Sequence, residues 1–174
     1  MITLVLQQKD LINQMHTATK SSRVNISEEG KTRSVAEIFS KNIKTGSIIF
    51  FKGELGVGKT TFIKYLINFL QKKNNQPITE IPSPTFNLVN EYNLEKLTIK
   101  HYDLYRINNE KELINLSIFE DISGQITLIE WPEIINNHKK NNIIDLTFEY
   151  DEEYKKRFLT ISSSNKISFI DEFK

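Results

Sequence analysis

The chain has 174 residues, a length typical of one domain, and its 23 basic and 22 acidic residues leave a net charge of +1. This balance excludes recruitment of nucleic acid or an anionic membrane by overall charge. The absence of cysteine excludes disulfides, thiolate metal sites and a cysteine nucleophile. No apolar run approaches the roughly 20 residues of a membrane-spanning helix, so we expect a soluble, cytoplasmic protein without a membrane partner.

The first half of the chain predicts alternating helix and strand. Residues 1–24 are polar and weakly patterned, so we interpret them as a loosely ordered extension before a single domain at 25–174. A helix is predicted to start at Ser27 and to end by Gly46. Its apolar stripe consists of Val35, Ala36, Ile38 and Phe39. The apolar run SIIFF (47–51) indicates a strand buried on both faces of a parallel sheet, and TTFIKYLINFLQKK (60–73) indicates an amphipathic helix.

The second half predicts the remaining strands. The proline-rich segment NNQPITEIPSPTF (74–86) cannot form a regular helix and is expected to be a loop before the strand NLVNEYNL. The strand KLTIKHYD ends in Asp103, and QITLIE ends in Glu130. Between them, NEKELINLSIFEDI (109–122) is predicted to be helical. The segments NIIDLTFEY (142–150) and KRFLTISSS (156–164) predict an antiparallel hairpin.

The segment GELGVGKTTF (53–62) carries the strongest chemical signal. It matches G-x-x-x-x-G-K-[ST] with Gly53, Gly58, Lys59 and Thr60, between a predicted strand and a predicted helix. Backbone N–H groups of such a loop surround phosphates, and the following helix N-terminus favours an anion. We expect Lys59 to reach the β and γ phosphates of a nucleotide and the Thr60 hydroxyl to bind Mg²⁺. The predicted fold is a P-loop NTPase-like α/β three-layer sandwich, with a mostly parallel central sheet, helices on both faces and a C-terminal antiparallel hairpin.

Magnesium and hydrolysis require carboxylates near the γ phosphate, and two acids end predicted strands. Asp103 and Glu130 would each bind the ion directly, bind it through water or orient the attacking water, and spacing alone does not separate these roles. In IPSPTF, two prolines fix the backbone and present Thr85 on a turn, as a phosphate-sensing switch or as a rigid connector. His101 with Asp103 is a less favoured metal pair, because the oxygen ligands nearby suit Mg²⁺. Trp131 is expected either in the core or beside the nucleotide.

Three classes of nucleotide-binding protein remain open. ATP is favoured over GTP because the chain lacks the N-K-x-D signature of a guanine site. A kinase for a small molecule or a protein is the weaker alternative, because no arginine-rich lid segment is visible. A nucleotide-gated binding module without a hydrolytic role is the third.

Four blocks in order, GELGVGKTTF, SPTFNLVNEY, HYDLYRI and LIEWPE, closely resemble the bacterial TsaE family, also called YjeE. The resemblance implies a small Mg²⁺-dependent P-loop ATPase that is needed to make threonylcarbamoyladenosine in tRNA. It implies ATP and Mg²⁺ as cofactors and the TsaD and TsaB proteins as partners. Because a hydrolysis site that is completed by a partner needs little turnover alone, we predict slow ATPase activity in isolation. Because the net charge is near zero, we expect contact with tRNA to be indirect or secondary.

The resemblance also assigns site residues. Those implied to contact the phosphates are Glu54, Leu55, Gly56, Val57, Gly58, Lys59, Thr60 and Thr61. Thr60 and Glu130 resemble the family's Mg²⁺ ligands, and Asp103 resembles its Walker-B-like acid. Thr85 matches its switch-loop threonine and Trp131 its nucleotide-adjacent tryptophan, so the catalytic group would comprise Lys59, Thr85, Asp103 and Glu130.

Other features are less specific or depart from the family pattern. Glu29 and Thr32, in SEEGKT, match the region near the nucleotide base. Residues 71–82 form a longer connection than expected, and Ser117 stands where glycine is expected. Neither departure touches the nucleotide motifs.

Overall fold

The computed structural model of the protein describes residues 20–135 and 143–163. Within these ranges the strands are β1 (Lys20–Asn25), β2 (Ile48–Lys52), β3 (Val89–Leu94), β4 (Leu97–Asp103), β5 (Gln125–Glu130), β6 (Ile143–Tyr150) and β7 (Arg157–Ser163). The helices are α1 (Glu29–Asn42), α2 (Lys59–Lys73) and α3 (Glu110–Asn115). None of the described helices is long and apolar enough to cross a membrane.

All the described strands belong to one sheet, in the order β1-β7-β6-β2-β5-β4-β3. The four central strands, β6, β2, β5 and β4, run parallel. Antiparallel neighbours flank them, because β3 pairs with β4 and the hairpin of β6 and β7 extends the other side. The predicted α/β fold, with its mostly parallel centre and C-terminal hairpin, is confirmed.

The N-terminal edge of the sheet differs from the prediction. Residues 20–24, predicted to belong to a loose extension, lie in β1, which pairs antiparallel with β7. Val24 packs against the core, and the pairing with β1 satisfies backbone groups that β7 would leave open if it were the edge strand. The remaining part of the predicted extension, residues 1–19, lies outside the described residues.

Strand β2 is buried on both faces, as its continuous apolar sequence predicts. Because side chains alternate along a strand, Ile49 and Phe51 pack beneath α1 and α2, whereas Ile48 and Phe50 pack in a second cluster on the opposite face. On the first face, the Phe62 ring of α2 lies 5.9 Å from that of Phe51. These contacts fix the start of α2 against the strand that precedes it.

Helix α1 begins later than predicted and does not use Ser27 as its cap. Glu28 occupies the cap position without a side-chain cap. The Ser27 hydroxyl instead donates to Asn25 Oδ1 at 2.7 Å and accepts the Arg157 backbone N–H at 3.0 Å. The helix ends at Asn42, and the chain turns at Gly46, where φ is 81°. Tertiary contacts with β7 therefore take the serine away from the helix.

The predicted helix over 109–122 is wrong in length, because α3 covers only its first part. Asn109 caps α3 by accepting the Glu112 N–H at 3.1 Å. The helix stops at Asn115, and Ser117 and Asp121 then adopt left-handed conformations with φ of 46° and 41°. Two left-handed residues cannot continue a right-handed helix. Ser117, where glycine was expected, thus has a φ that favours glycine.

The long connection after α2 folds back onto the helix that precedes it. Gln71 donates from Nε2 to Thr79 Oγ1 at 2.7 Å and accepts the Thr79 backbone N–H at 3.2 Å. Ile81 is buried at the end of the segment. The additional residues therefore form a loop that is hydrogen-bonded to the end of α2.

Candidate functional site

Parallel register places the two predicted acids side by side. Asp103, at the end of β4, is the partner of Glu130 at the end of β5, and Glu130 is also the partner of Phe51 near the end of β2. The glycine-rich loop follows β2 directly. Both carboxylates therefore lie beside this loop at the carboxyl edge of the sheet, where ligands bind in open α/β folds.

The phosphate loop (residues 53–60) depends on glycine at its two ends. Gly53 has φ of 130°, and a Cβ at this position would lie 2.3 Å from the Phe148 carbonyl oxygen. Gly58, with φ of 114°, is the cap residue of α2. The first N–H groups of α2 have no partner within the helix, so they are available to an anion above the loop.

Lys59 is the cation of the loop and is only 4% exposed. Its Nζ donates to the carbonyl oxygens of Gly53 at 2.7 Å and Glu54 at 2.8 Å. It also lies 3.8 Å from the centre of the Trp131 ring. Burial lowers the pKa of the Lys59 ammonium from its ordinary value, although nearby carboxylates, with Glu130 the strongest, oppose this shift. The ammonium is held by neutral acceptors alone, and a phosphate would be a stronger partner.

Thr60 and Glu130 meet at the start of α2. The Thr60 hydroxyl lies 3.0 Å from both carboxylate oxygens of Glu130. From the other side, His101 Nε2 lies 2.9 Å from Glu130 Oε1. The alternative metal pair of His101 with Asp103 is not formed, because the imidazole nitrogen that contacts a carboxylate contacts Glu130.

Asp103 faces the SPTF segment (residues 83–86). Its Oδ2 accepts the hydroxyl of Thr85 at 2.7 Å and that of Ser83 at 2.9 Å, while Oδ1 accepts the Tyr105 backbone N–H at 3.0 Å. Asp103 is buried, and both of its carboxylate oxygens accept hydrogen bonds. The structure thus joins Thr85 and Asp103 in a hydroxyl–carboxylate cluster separate from the pair of Thr60 and Glu130.

Trp131 lies at the rim of the cleft rather than in the centre of a core. Its backbone is left-handed, with φ of 57°, and its N–H donates to the Phe51 carbonyl at 3.2 Å. The indole packs against Tyr105, with ring centres 4.9 Å apart, and covers the Lys59 ammonium. Trp131 therefore lies beside Lys59 of the phosphate loop, and its contact with a nucleotide stays a prediction.

Two pockets flank the phosphate loop. The larger, of about 290 Å³, is lined by Leu55, Gly56, Gly58, Lys59, Thr60, Thr61, Ser83, Thr85, Asp103, Glu130 and Trp131. The smaller, of about 180 Å³, is lined by Ile26, Glu29, Thr32, Val57, Gly58, Thr61 and Arg157. Gly58 and Thr61 border both, so Glu29 and Thr32 line a pocket that adjoins the one containing Lys59, Thr60, Asp103 and Glu130.

Several residues predicted to contact the nucleotide have side chains that are buried or already hydrogen-bonded within the protein. The Val57 side chain is buried in the core, so only its backbone is available to a ligand. Glu54 provides its carbonyl to Lys59. In the smaller pocket, the Thr32 hydroxyl already donates to the Ile26 carbonyl at 3.3 Å, and Glu29 accepts a hydrogen bond from Tyr65.

The structure also adds residues that the sequence did not single out. Ser83 joins the Asp103 cluster, and Tyr150 donates to the Gly56 carbonyl at 3.2 Å. The Arg157 guanidinium lies 3.4 Å from where a Cβ on Gly58 would stand. Ser83 belongs to the SPTF segment, which the sequence indicates. Tyr150 and Arg157 lie about a hundred positions after the loop, so their proximity to it depends on the fold.

The side chains and backbone groups around the loop fit a nucleoside triphosphate with magnesium. The loop offers backbone N–H groups and an ammonium for phosphates, while Thr60 and Glu130 offer hard oxygen ligands. Among residues 20–135 and 143–163, no group of three or more His, Cys, Asp or Glu side chains is arranged to hold a metal.

Comparison with known proteins gives one consistent family. A family model described as "Threonylcarbamoyl adenosine biosynthesis protein TsaE" matches residues 26–158. The tRNA threonylcarbamoyladenosine biosynthesis protein TsaE of Rickettsia felis is 35% identical over 84% of this chain and 83% of its own length. The protein of the same name from Rickettsia prowazekii is 34% identical over 85% and 97%. The crystal structure of YdiB from Bacillus subtilis matches with a TM-score of 0.65 at 20% identity, covering 88% of this chain and 93% of YdiB, and this supports the fold.

Proposed function

Because the chain belongs to the TsaE family and thus acts in the biosynthesis of tRNA threonylcarbamoyladenosine, we propose that it does so as a Mg²⁺-dependent ATPase. The observation that carries this proposal is the contact of Thr60 with Glu130 at the start of α2, beside the buried Lys59. It joins a cation for phosphates to oxygen ligands for magnesium in one cleft. Such a combination suits phosphoryl chemistry, which depends on positioning and on stabilising the charge of the phosphate oxygens.

Glu130 and Asp103 would have different roles, and that of Glu130 is to bind the metal. Thr60 and Glu130 would hold Mg²⁺, since a hydroxyl and a carboxylate at the end of a strand are the oxygen ligands nearest the loop. When bound, the ion supplies positive charge that stabilises the phosphate oxygens. Lys59 would release the carbonyls of Gly53 and Glu54 and donate to phosphate instead.

Asp103 would act through the SPTF segment. Its Oδ2 holds both Ser83 and Thr85, which fixes this segment over the rim of the cleft. We propose that Thr85 reports the state of the γ phosphate by leaving or rejoining Asp103, and that Asp103 orients the attacking water once its hydroxyl partners move. This division assigns metal binding to Glu130 and water positioning to Asp103.

We further propose TsaD and TsaB as partners, with hydrolysis that is slow in the isolated chain. Phe86 and Leu55, at 81% and 75% exposure, stand at the rim of the site and leave it open to completion by another protein. A hydrolysis site that is completed by a partner needs little turnover alone. Hydrolysis would therefore be coupled to assembly, and it would support threonylcarbamoyl transfer without performing it.

The experiment follows the labelled γ phosphate of ATP with the chain alone and after TsaD and TsaB are added. Release as free phosphate, slow alone and accelerated by the partners, supports the proposal. Stable transfer of the label to a protein or small molecule would instead identify a kinase. Rapid turnover by the isolated chain would contradict the partner-dependent account. In cells, Asp103→Asn removes the proposed water-positioning carboxylate and keeps Thr60 and Glu130. Loss of tRNA modification in this variant, with nucleotide binding retained, would support a hydrolytic role, whereas normal modification would indicate a nucleotide-gated binding module.

A further inference from the structure

His101 is a buried polar side chain to which the proposed chemistry gives no role. It lies in β4, two residues before Asp103, and is fully buried. It does not line the cleft, and its contact with the site is through Glu130. Its Nε2 lies 2.9 Å from Glu130 Oε1, which makes this imidazole the support of one carboxylate oxygen from inside the sheet.

The surroundings of the imidazole select one of its two neutral tautomers. Nδ1 is buried and has no hydrogen-bond partner among the residues that the structure describes. A proton on Nδ1 would bury an N–H without an acceptor and would turn the Nε2 lone pair toward a carboxylate oxygen. A proton on Nε2 avoids both costs, because the Nε2–H donates to Glu130 Oε1.

Glu130 is thereby held from two elements. Its backbone is fixed by β5, and its carboxylate contacts Thr60 on α2 and His101 on β4. Since His101 occupies Oε1 alone, Oε2 keeps more of its capacity for another partner. Outer hydrogen bonds of this kind orient a ligating carboxylate, and their removal typically reduces metal affinity by about 10- to 100-fold.

We infer that His101 is a positioning residue that orients the Glu130 carboxylate, through an Nε2–H donor, so that it holds Mg²⁺ with bound nucleotide. The metal half of this inference rests on the proposed function, whereas the tautomer and the hydrogen bond belong to the protein without ligands. The two halves can be measured separately.

The first test is a long-range ¹H–¹⁵N spectrum of the protein without ligands, with His101 assigned by the signal that disappears in His101→Gln. The chain has three histidines, so this assignment is tractable. A proton on Nε2 is expected. A proton on Nδ1 alone would overturn the inference without bearing on ATP binding.

The second test compares His101→Gln with His101→Asn. Both variants bury an amide, but only glutamine is long enough to place an N–H near the position of Nε2. Ile99→Ala, in the same strand and core, controls for general destabilisation. Affinity for adenylyl imidodiphosphate is measured with Mg²⁺ and with EDTA, and thermal melting confirms that each variant folds.

The ratio of the two affinities is the informative quantity. We expect His101→Asn to reduce the ratio by at least about tenfold, through the Mg²⁺ measurement alone, while His101→Gln and Ile99→Ala stay within about threefold of the unmodified protein. Equal ratios in both His101 variants and the unmodified protein would overturn the inference and leave the proposed function standing. Equal losses in all three variants would show a merely structural role. An unmodified protein that binds the nucleotide without any help from Mg²⁺ would overturn the proposed metal site and the inference together.

Discussion

Gly53→Ala should be the most damaging small substitution in the phosphate loop. The residue has φ of 130°, a region that side chains rarely adopt, and an added Cβ would lie 2.3 Å from the Phe148 carbonyl oxygen. That oxygen belongs to β6, which is paired with strands on both sides and cannot easily retreat. Backbone strain of about 1–3 kcal/mol and the collision with a backbone atom act together. We expect the free energy of unfolding to fall by about 3 kcal/mol or more.

Two other glycines provide matched controls for this prediction. Gly56 has φ of 79° but open space around a Cβ, so Gly56→Ala should cost only the conformational part, about 1–2 kcal/mol. Gly30 lies in α1 with open space and no positive φ, so Gly30→Ala should be neutral or stabilise by up to about 1 kcal/mol. Urea unfolding followed by circular dichroism measures all three. If Gly53→Ala were no more harmful than Gly56→Ala, the close approach of the loop to β6 would be refuted.

Three further predictions test other parts of the structure. Ser117→Gly should raise the free energy of unfolding by about 1 kcal/mol in urea unfolding, because φ is 46° at this position. Burial raises the pKa of the Tyr102 hydroxyl above its ordinary value of 10.0. The contribution of Tyr102 to the free energy of unfolding should therefore be fully present below about pH 10 and be lost at higher pH, because the unfolded chain loses this proton first. Tyr102→Phe should reduce this loss of stability at alkaline pH. ATP should change the fluorescence of Trp131, the only tryptophan of the chain. The Lys59 ammonium, which lies over the Trp131 ring, would move away from the indole to bind phosphate.

Each of these has a distinct contradicting result. A destabilised Ser117→Gly variant would mean that the serine side chain matters more than its left-handed backbone. An identical alkaline profile for Tyr102→Phe would remove Tyr102 as a source of pH dependence. Unchanged fluorescence under saturating ATP would show that Lys59 stays on the indole.

The sequence predicted features that depend on local pattern or on a general property of parallel sheets. The apolar run at β2 indicated burial on both faces, and both acids were expected at strand ends beside the loop. Their adjacency follows because parallel strands present their carboxyl ends at one edge. The motif around Lys59 carries its own context of strand and helix, so its position required no further information.

Other features could not be predicted because they depend on distant partners. Ser27 resembled a helix cap, but the Arg157 backbone occupies its hydroxyl. The apolar pattern near Ile118 continued as a helix would, whereas the backbone at Ser117 turned left-handed to bring Ile118 into the core of the opposite face. The less favoured metal pair of His101 with Asp103 rested on their closeness in sequence, whereas His101 contacts Glu130 on the neighbouring strand. In each case a contact between distant segments outweighed the local pattern.

The central claim is that Lys59 and its loop bind the phosphates of ATP, and calorimetric titration of Mg²⁺-ATP tests it most directly. Lys59→Met removes the ammonium, and Lys64→Met, at an exposed site on the same helix, is the matched control. We expect one binding site per chain, loss of affinity by at least about tenfold in Lys59→Met with the fold retained, and unchanged affinity in Lys64→Met. Equal affinity of Lys59→Met and the unmodified protein would contradict the assignment of the phosphate loop and the proposed ATPase with it.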